Sequence, residues 1–156
     1  MTHKKSLRIT NSMDIPYIPY FTTSRYRVQA MVELAEVKFG ERVADLGTGD
    51  GRIAIAFAKA GAIVTGYELD EEKIKLAREN SQKENANITV LKKDFWFEDL
   101  SQYSIICCYP MPTIMGRLEH KLQNELKPGS RILLNYFPFL HWKQKAKKDN
   151  VFLYER

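Results

Sequence analysis

Cysteine is almost missing from this chain of 156 residues: there are two, Cys107 and Cys108, and they are adjacent. They sit in an apolar run that reads as a buried strand, where neighbouring side chains point to opposite faces. Neither a structural disulfide nor a pair of ligands to one metal ion is expected from them, and a reducing compartment is. No apolar run approaches the roughly 20 residues needed to span a bilayer. Residues 1–13 are polar and lack an apolar h-region, so no secretory signal peptide is visible. The length leaves no room for a substrate domain beside one core of ordinary size. A strong excess of one charge is also absent: a net charge of +5 permits an acidic partner or nucleic acid without requiring either.

What is present concentrates in one stretch, Val43 to Arg52, which reads VADLGTGDGR. Val43, Ala44 and Leu46 suit a buried parallel strand. Gly47, Gly49 and Gly51 follow at every second position, and Ile53 to Ala60 then reads as an apolar helix. Glycines let the backbone turn sharply and approach a ligand with no Cβ in the way. A strand, a glycine turn and a helix N-terminus together make a nucleotide-binding corner. Ile63 to Tyr67 reads as a second buried strand, and Glu68 ends it, 21 residues after Gly47. A carboxylate there can accept hydrogen bonds from both ribose hydroxyls. The dinucleotide fingerprint GxGxxG nevertheless fails, because its third glycine is replaced by Arg52. Asp45, two residues before the first glycine, would repel a pyrophosphate and suits the ammonium group of a methionine tail. The corner favours S-adenosylmethionine.

Met1 to Asp14 reads as a frayed tail, leaving 15–156 as the folded domain. Pro16 and Pro19 impose an extended path on Tyr17 to Ser24, YIPYFTTS. Its aromatics either cover the core edge or form a lid over the glycine corner, with tyrosine hydroxyls facing a substrate. Thr23 or Ser24 caps a helix running to about Val37, with Val28, Met31, Val32 and Ala35 on one face. Asp70 caps the helix after the second strand, which carries Glu71 and Glu72 in its first turn and runs to about Gln82. Ile88 to Leu91 is a third strand, followed by Lys92, Lys93, Asp94 and Phe95. Asp94 is placed to accept from an adenine amino group and the Phe95 amide to donate to a ring nitrogen; the plain alternative is a polar strand end.

Ser104 to Cys108 reads as a fourth strand that runs into Tyr109 and Pro110. Thr113 to Leu126 is a helix with Ile114, Met115, Leu118 and Leu122 inward, stopped by Pro128 and Gly129. Arg131 to Phe137 is a fifth strand. Trp142 to Lys148 and Val151 to Glu155 are two short strands joined by Asp149 and Asn150. Lys143, Lys145 and Lys147 recur at period two, on one face of a strand. They are either a nucleic-acid patch or, the reading favoured here, a charged sheet edge that blocks unwanted pairing. Strands alternating with helices and a final hairpin describe a doubly wound sheet with an antiparallel edge. Ligands in such sheets bind beyond the carboxyl ends of the strands. Asp45, Gly47, Gly49, Glu68, Asp94, Phe95, Tyr109 and Pro110 all fall at such ends.

This order of motifs resembles the class I, seven-stranded S-adenosylmethionine-dependent methyltransferases. Within them it is similar to the small protein-lysine methyltransferases of archaea and their mitochondrial relatives, the ATP synthase c-subunit lysine methyltransferase type. The residues that carry the resemblance are Tyr17-Ile18-Pro19-Tyr20, Asp45-Leu46-Gly47-Thr48-Gly49-Asp50-Gly51-Arg52, Gly66-Tyr67-Glu68-Leu69, Lys93-Asp94-Phe95-Trp96, and Phe137-Pro138 followed by Trp142. It covers roughly Ile15 to the C-terminus. The glycine motif is shared by the whole superfamily, whereas the tyrosine-proline segment and the DGR ending are more particular.

The resemblance implies a Rossmann-like, doubly wound seven-stranded sheet with an antiparallel C-terminal hairpin, in three αβα layers. It implies that S-adenosyl-L-methionine is held by Asp45, Leu46, Gly47, Thr48, Gly49, Asp50, Gly51, Glu68, Leu69, Asp94, Phe95, Tyr109 and Pro110. Tyr17, Tyr20 and Tyr109 would line the acceptor channel, and the acceptor would be a protein with an exposed lysine. Two departures matter. The membrane-anchoring segment of the mitochondrial members is absent, which makes a cytoplasmic form without a membrane partner the expectation. The Lys143 to Lys148 stretch is short, so the surface near the hairpin is expected to choose a different target.

The implied chemistry is direct methyl transfer, in which the enzyme chiefly holds donor and acceptor in line. A lysine amine, with a pKa of about 10.4, must first lose its proton. A partly dry channel favours that loss, while cation–π contact with tyrosine rings opposes it. No dedicated general base stands out. Amino methyltransferases of DNA or RNA would more usually show an acid or asparagine, then Pro-Pro and an aromatic, after the fourth strand, where this chain has Cys108-Tyr109-Pro110-Met111. A cytosine-C5 enzyme would want a cysteine directly after a proline. Action on RNA or a small molecule, and non-catalytic cofactor binding, stay open as alternatives.

Overall fold

The structure, a computed structural model, describes residues 22–156. The expected tail over 1–14 and most of the Tyr17–Ser24 segment, with Tyr17 and Tyr20, lie outside the described residues. The chain runs α1 (Arg25–Ala35), β1 (Arg42–Leu46), α2 (Arg52–Lys59), β2 (Ile63–Glu68), α3 (Glu71–Lys83), β3 (Ile88–Lys92), β4 (Ile105–Cys108), α4 (Met115–Glu125), β5 (Arg131–Asn135), β6 (Ala146–Lys148) and β7 (Val151–Glu155). Short 3₁₀ turns precede β4 and α4, at Phe95–Phe97 and Pro112–Ile114. The strands form one sheet in the order β3-β2-β1-β4-β5-β7-β6. The first five are parallel, and β7 is antiparallel to both β5 and β6. This is the doubly wound sheet with an antiparallel hairpin that the sequence predicts.

β1, β4 and β5 are buried on both faces, which is why they read as mainly apolar runs. Val43, Val64, Ile105, Cys107 and Leu133 pack with Met31 of α1 and Phe57 of α2. Their strand neighbours Ala44, Ile106, Cys108 and Leu134 face the other way, onto Leu118 and Leu122 of α4. Cys107 and Cys108 are free thiols on opposite faces of the sheet. α3 extends the first layer through Ile74 and Ala77 against Val90.

Helix ends follow local chemistry unevenly. Ser24 occupies the N-cap position of α1 without a side-chain capping bond. Asp70 caps α3 fully, accepting from the amides of Glu72 at 2.9 Å and Lys73 at 3.3 Å. Asp70→Ala is therefore expected to lower stability by about 1 kcal/mol, within the span of roughly 0.5–2 for such caps. Urea midpoints would show the loss at an unchanged m-value, and wild-type midpoints would mean the cap contributes nothing.

Three boundaries differ from the sequence expectation. β5 stops at Asn135, because Tyr136 turns into the left-handed region with φ 72°. The helix expected from Thr113 opens as a 3₁₀ turn behind Pro112 and becomes α-helical at Met115. The strand expected over Trp142–Lys148 contracts to Ala146–Lys148. Trp142 leaves the sheet to stack on Phe139, with ring centroids 5.6 Å apart and planes within 13°. Lys143 and Lys145 therefore precede β6, and the three lysines do not form one row on a strand face. β6 is still the sheet edge, and the lysines in and just before it are engaged: Lys148 pairs with Glu33, Lys145 with Glu155, and Lys147 lies over the Phe152 ring. Asp149 and Asn150, with φ 49° and 59°, form the two-residue left-handed turn that hairpins of this twist favour.

Candidate active site

From β1 the chain winds to β2 and β3 on one side, then crosses to β4 on the other. The crevice beyond the carboxyl ends of β1 and β4 is thus the switch point of the sheet, where open α/β folds bind ligands. In register, Leu46 of β1 pairs with Cys108 of β4, and Cys108 with Leu134 of β5. Gly47, Tyr109 and Asn135 consequently continue three adjacent strands at one level. With neighbouring strands about 4.8 Å apart, roughly 10 Å separates the first from the third.

The three glycines of the corner all have positive φ, 75° at Gly47, 57° at Gly49 and 84° at Gly51. The amides of Gly47 and Thr48 both donate to the Tyr67 carbonyl at 2.9 Å, pinning the turn to the end of β2. The Gly49 amide donates to Glu68 Oε2 at 2.9 Å. Glu68 Oε1 accepts from the amides of Leu69 at 2.9 Å and Asp70 at 3.2 Å. Glu68 thereby ties the glycine turn to the β2–α3 turn. Gly51 lets α2 approach α3, since a Cβ on it would lie 3.1 Å from the Ala77 Cβ. A Cβ on Gly47, by contrast, would meet nothing within 4 Å among the described residues, so this residue faces the open side of the corner.

Beneath the turn lies Asp45, 1% exposed. Its Oδ2 accepts from the Thr48 hydroxyl at 2.7 Å. Burial pushes its pKa up to about 7; bonds from Thr48 and the Ala54 amide pull it down, and the charges of Glu68 and Asp50 add to the rise. Among the described residues no cation forms an ion pair with it. Asp50 pairs with Arg52 at 2.5 Å, and Arg52 Nη1 donates to the Thr23 carbonyl at 2.9 Å, joining the corner to the start of α1. Leu46 is buried under the site, and Leu69 is exposed beside it. A cavity of about 30 Å³ is lined by Thr23, Asp45, Gly47, Gly49 and Tyr109 among others, which brings Tyr109 to the glycine corner.

At the end of β3, Asp94 Oδ1 accepts from the Trp96 amide at 3.0 Å and caps the 3₁₀ turn. Phe95 and Trp96 follow with ring centroids 4.8 Å apart, and the Arg117 guanidinium lies 4.1 Å from the Trp96 ring. Pro110 is buried directly behind Tyr109.

A polar cluster that the sequence did not reveal lies beside Tyr109. Arg27 Nη1 donates to Asn135 Oδ1 at 3.2 Å, and Asn135 Nδ2 donates to the Thr23 hydroxyl at 2.7 Å. The Arg27 side chain also lies beside the Tyr109 side chain. Asn135 is completely buried. The available signal was its position, a lone amide closing the apolar strand RILLN. Arg27 gave none, since arginine on a surface helix ordinarily faces water.

Comparison with known proteins agrees with this geometry. The family model of the ANTKMT methyltransferase domain matches residues 45–146, from Asp45 to the first residue of β6. A protein-lysine N-methyltransferase of Saccharolobus islandicus is 33% identical over 135 residues, covering 84% of this chain and 84% of its own. The ATP synthase c-subunit lysine N-methyltransferase of Rattus norvegicus is 37% identical over 130 residues, covering 82% of this chain; the chain spans only 58% of that longer protein. Among solved structures, an RNA methyltransferase of Salinibacter ruber in complex with S-adenosyl-L-homocysteine superposes with a TM-score of 0.79. It is 28% identical, and the match covers 86% of this chain and 92% of that one. With well over half its length matched by the domain and a relative of one-third identity spanning most of it, the chain belongs to the ANTKMT methyltransferase domain family.

Proposed function

We propose that this protein transfers the methyl group of S-adenosylmethionine to the ε-amine of lysine in protein substrates. The observation that carries the cofactor half is Asp45. A fully buried carboxylate with no cation paired to it among the described residues is complementary to a positively charged ligand. The donor set also fits: the open Gly47 face, and Glu68 at the end of β2, suit a nucleoside with a cationic tail. When bound, the cofactor supplies an activated methyl on a sulfonium. Asp45 and the glycine turn hold the tail, Glu68 and Leu69 the ribose, and Asp94 and Phe95 the adenine, with Leu46, Thr48, Asp50, Gly51 and Pro110 shaping the walls.

The acceptor half is supported by the archaeal and rat relatives, whose names specify lysine. Tyr109 borders the corner on the β4 side, and Tyr17 and Tyr20 complete the channel lining in this reading. Their rings exclude water from a lysine side chain and so favour the neutral amine that attack requires. The same reading gives the enzyme a protein partner and a cytoplasmic location. Among the described residues no helix is long and apolar enough to cross a membrane.

A second reading, methylation of RNA, has one observation in its favour, the Salinibacter ruber structure named as an RNA methyltransferase. Lys143, Lys145 and Lys147 would then be the first residues to test. The lysine reading predicts that methyl-labelled cofactor incubated with cell lysate leaves label that protease releases and nuclease does not, with methyl-lysine found by mass spectrometry. Label confined to nucleobases or small molecules would remove the lysine assignment.

A further inference from the structure

The end of β5 holds a strained feature that cofactor binding does not call for. Tyr136 has φ 72°, and the Phe137 amide donates across it to the Asn135 carbonyl at 3.0 Å. These define a γ-turn of the positive-φ kind, which is rare and strained. A bulky residue keeps such a conformation only where its surroundings impose it. Here the Tyr136 amide donates to the Asn150 carbonyl at 2.8 Å, and Asn135 is locked by Arg27 and Thr23. Burial of the ring does not offset the strain, because Tyr136 remains 48% exposed. The turn therefore displays an aromatic ring to solvent in a fixed direction.

That ring continues a strip leading out from the switch point. Tyr109 lines the cavity with Asp45 and Gly47. The Tyr109 and Phe137 rings are 6.4 Å apart, and Phe137 meets Tyr136 edge-on at 4.9 Å. The Arg27 guanidinium lies 5.6 Å from the Tyr136 ring and also neighbours the Tyr109 side chain, so one side chain borders both ends of the strip. Aromatic faces suit the methylene stem of a lysine, and they attract its ammonium form as it approaches.

We infer that Tyr136 is an acceptor-positioning residue: its ring forms the outer wall of the channel by which a lysine side chain reaches the glycine corner. The inference rests on the lysine reading above. Tyr136→Phe keeps the ring, Tyr136→Ala removes it but keeps the backbone strain, and Tyr136→Gly removes both. With a synthetic 12-residue peptide carrying one central lysine, the Ala and Gly variants are expected to raise the peptide KM about tenfold or more. The Phe variant should stay within about threefold of wild type, and cofactor affinity by calorimetry should be unchanged in all three. The Gly variant should melt at a higher temperature than the Ala variant as the strain is released. A Gly variant that melts higher and methylates the peptide with wild-type KM would overturn the role of the ring. A cofactor affinity that falls with the peptide KM would overturn it too, by making Tyr136 a support of the corner. If instead the wild type leaves the peptide unmodified and labels RNA, the lysine reading itself fails, and the lysine channel with it.

Discussion

Between pH 4.5 and pH 8.5 the unliganded protein is expected to lose stability through a single carboxyl group, that of Asp45, and Asp45→Asn is expected to abolish that loss. Folding raises the Asp45 pKa from 3.8 to about 7, chiefly by burial. The folded state thus holds this proton more tightly than the unfolded chain does. The stabilising effect of the proton is complete below the unfolded pKa and disappears as pH rises through about 7. A shift of this size corresponds to about 4 kcal/mol. In Asp45→Asn the amide oxygen can still accept from the Thr48 hydroxyl, but no ionisation opposes folding. The carboxyls of Glu33, Glu41, Glu71 and Asp99 are held below their ordinary range, so they titrate at lower pH and cancel when variant is subtracted from wild type. Urea unfolding across this pH range, plotted as that difference, is the measurement. Parallel curves would show that Asp45 is not an uncompensated charge.

Cofactor binding should respond in the opposite sense. A cationic ligand seated against Asp45 favours the ionised form, so affinity should rise with pH and level off above about 7. Below that it should fall about tenfold per unit, the dependence of one linked proton. Asp45→Asn should be flat with pH and weaker by about 2–5 kcal/mol, the range for removing one partner of a buried charge pair. The variant is then more stable and less functional at neutral pH, a trade-off expected wherever a site stores an unpaired charge.

The sheet is legible in the sequence because its signals are local. The buried parallel strands are mainly apolar runs, and each helix start carries a serine, an acid, a glycine or a proline. The spacing from Gly47 to Glu68 exposes the corner for the same reason, since it lies within one strand–helix–strand unit. The hairpin edge departs from its pattern because Trp142 obeys a tertiary contact, stacking on Phe139, and not the period-two spacing of the lysines around it. The cluster of Thr23, Arg27 and Asn135 is invisible in the sequence because its hydrogen bonds join residues more than a hundred positions apart. Tyr136 reads as a strand residue because aromatic side chains ordinarily favour strands. Its turn arises from the bonds of Asn135 and Asn150, which no local pattern encodes.

Gly66 shows how a residue away from the glycine motif can control it, and Gly66→Val should damage folding and cofactor binding together. A Cβ at position 66 would lie 2.8 Å from Thr48 Cβ, Cγ2 and Oγ1, closer than carbon and oxygen atoms pack. Thr48 cannot retreat freely. Its hydroxyl is bonded to Asp45 and its amide to the Tyr67 carbonyl, one residue beyond Gly66 on the same strand. The added carbon must therefore either bow β2 away from β1 or lift the glycine turn off the strand. Overpacking of this kind costs about 1–3 kcal/mol and occasionally more, so valine should lie at the upper end and alanine at the lower. Lifting the turn also moves the Gly47 and Gly49 amides, so cofactor affinity should fall in step with stability. Gly47→Ala is the contrasting case, since its Cβ would meet no atom within 4 Å among the described residues. It should cost about 1–2 kcal/mol for the left-handed backbone, yet intrude on the ligand side of the corner. Thermal melts paired with calorimetry separate the two patterns. A Gly66→Val protein with wild-type melting temperature and cofactor affinity would show that Thr48 does not couple β2 to the corner.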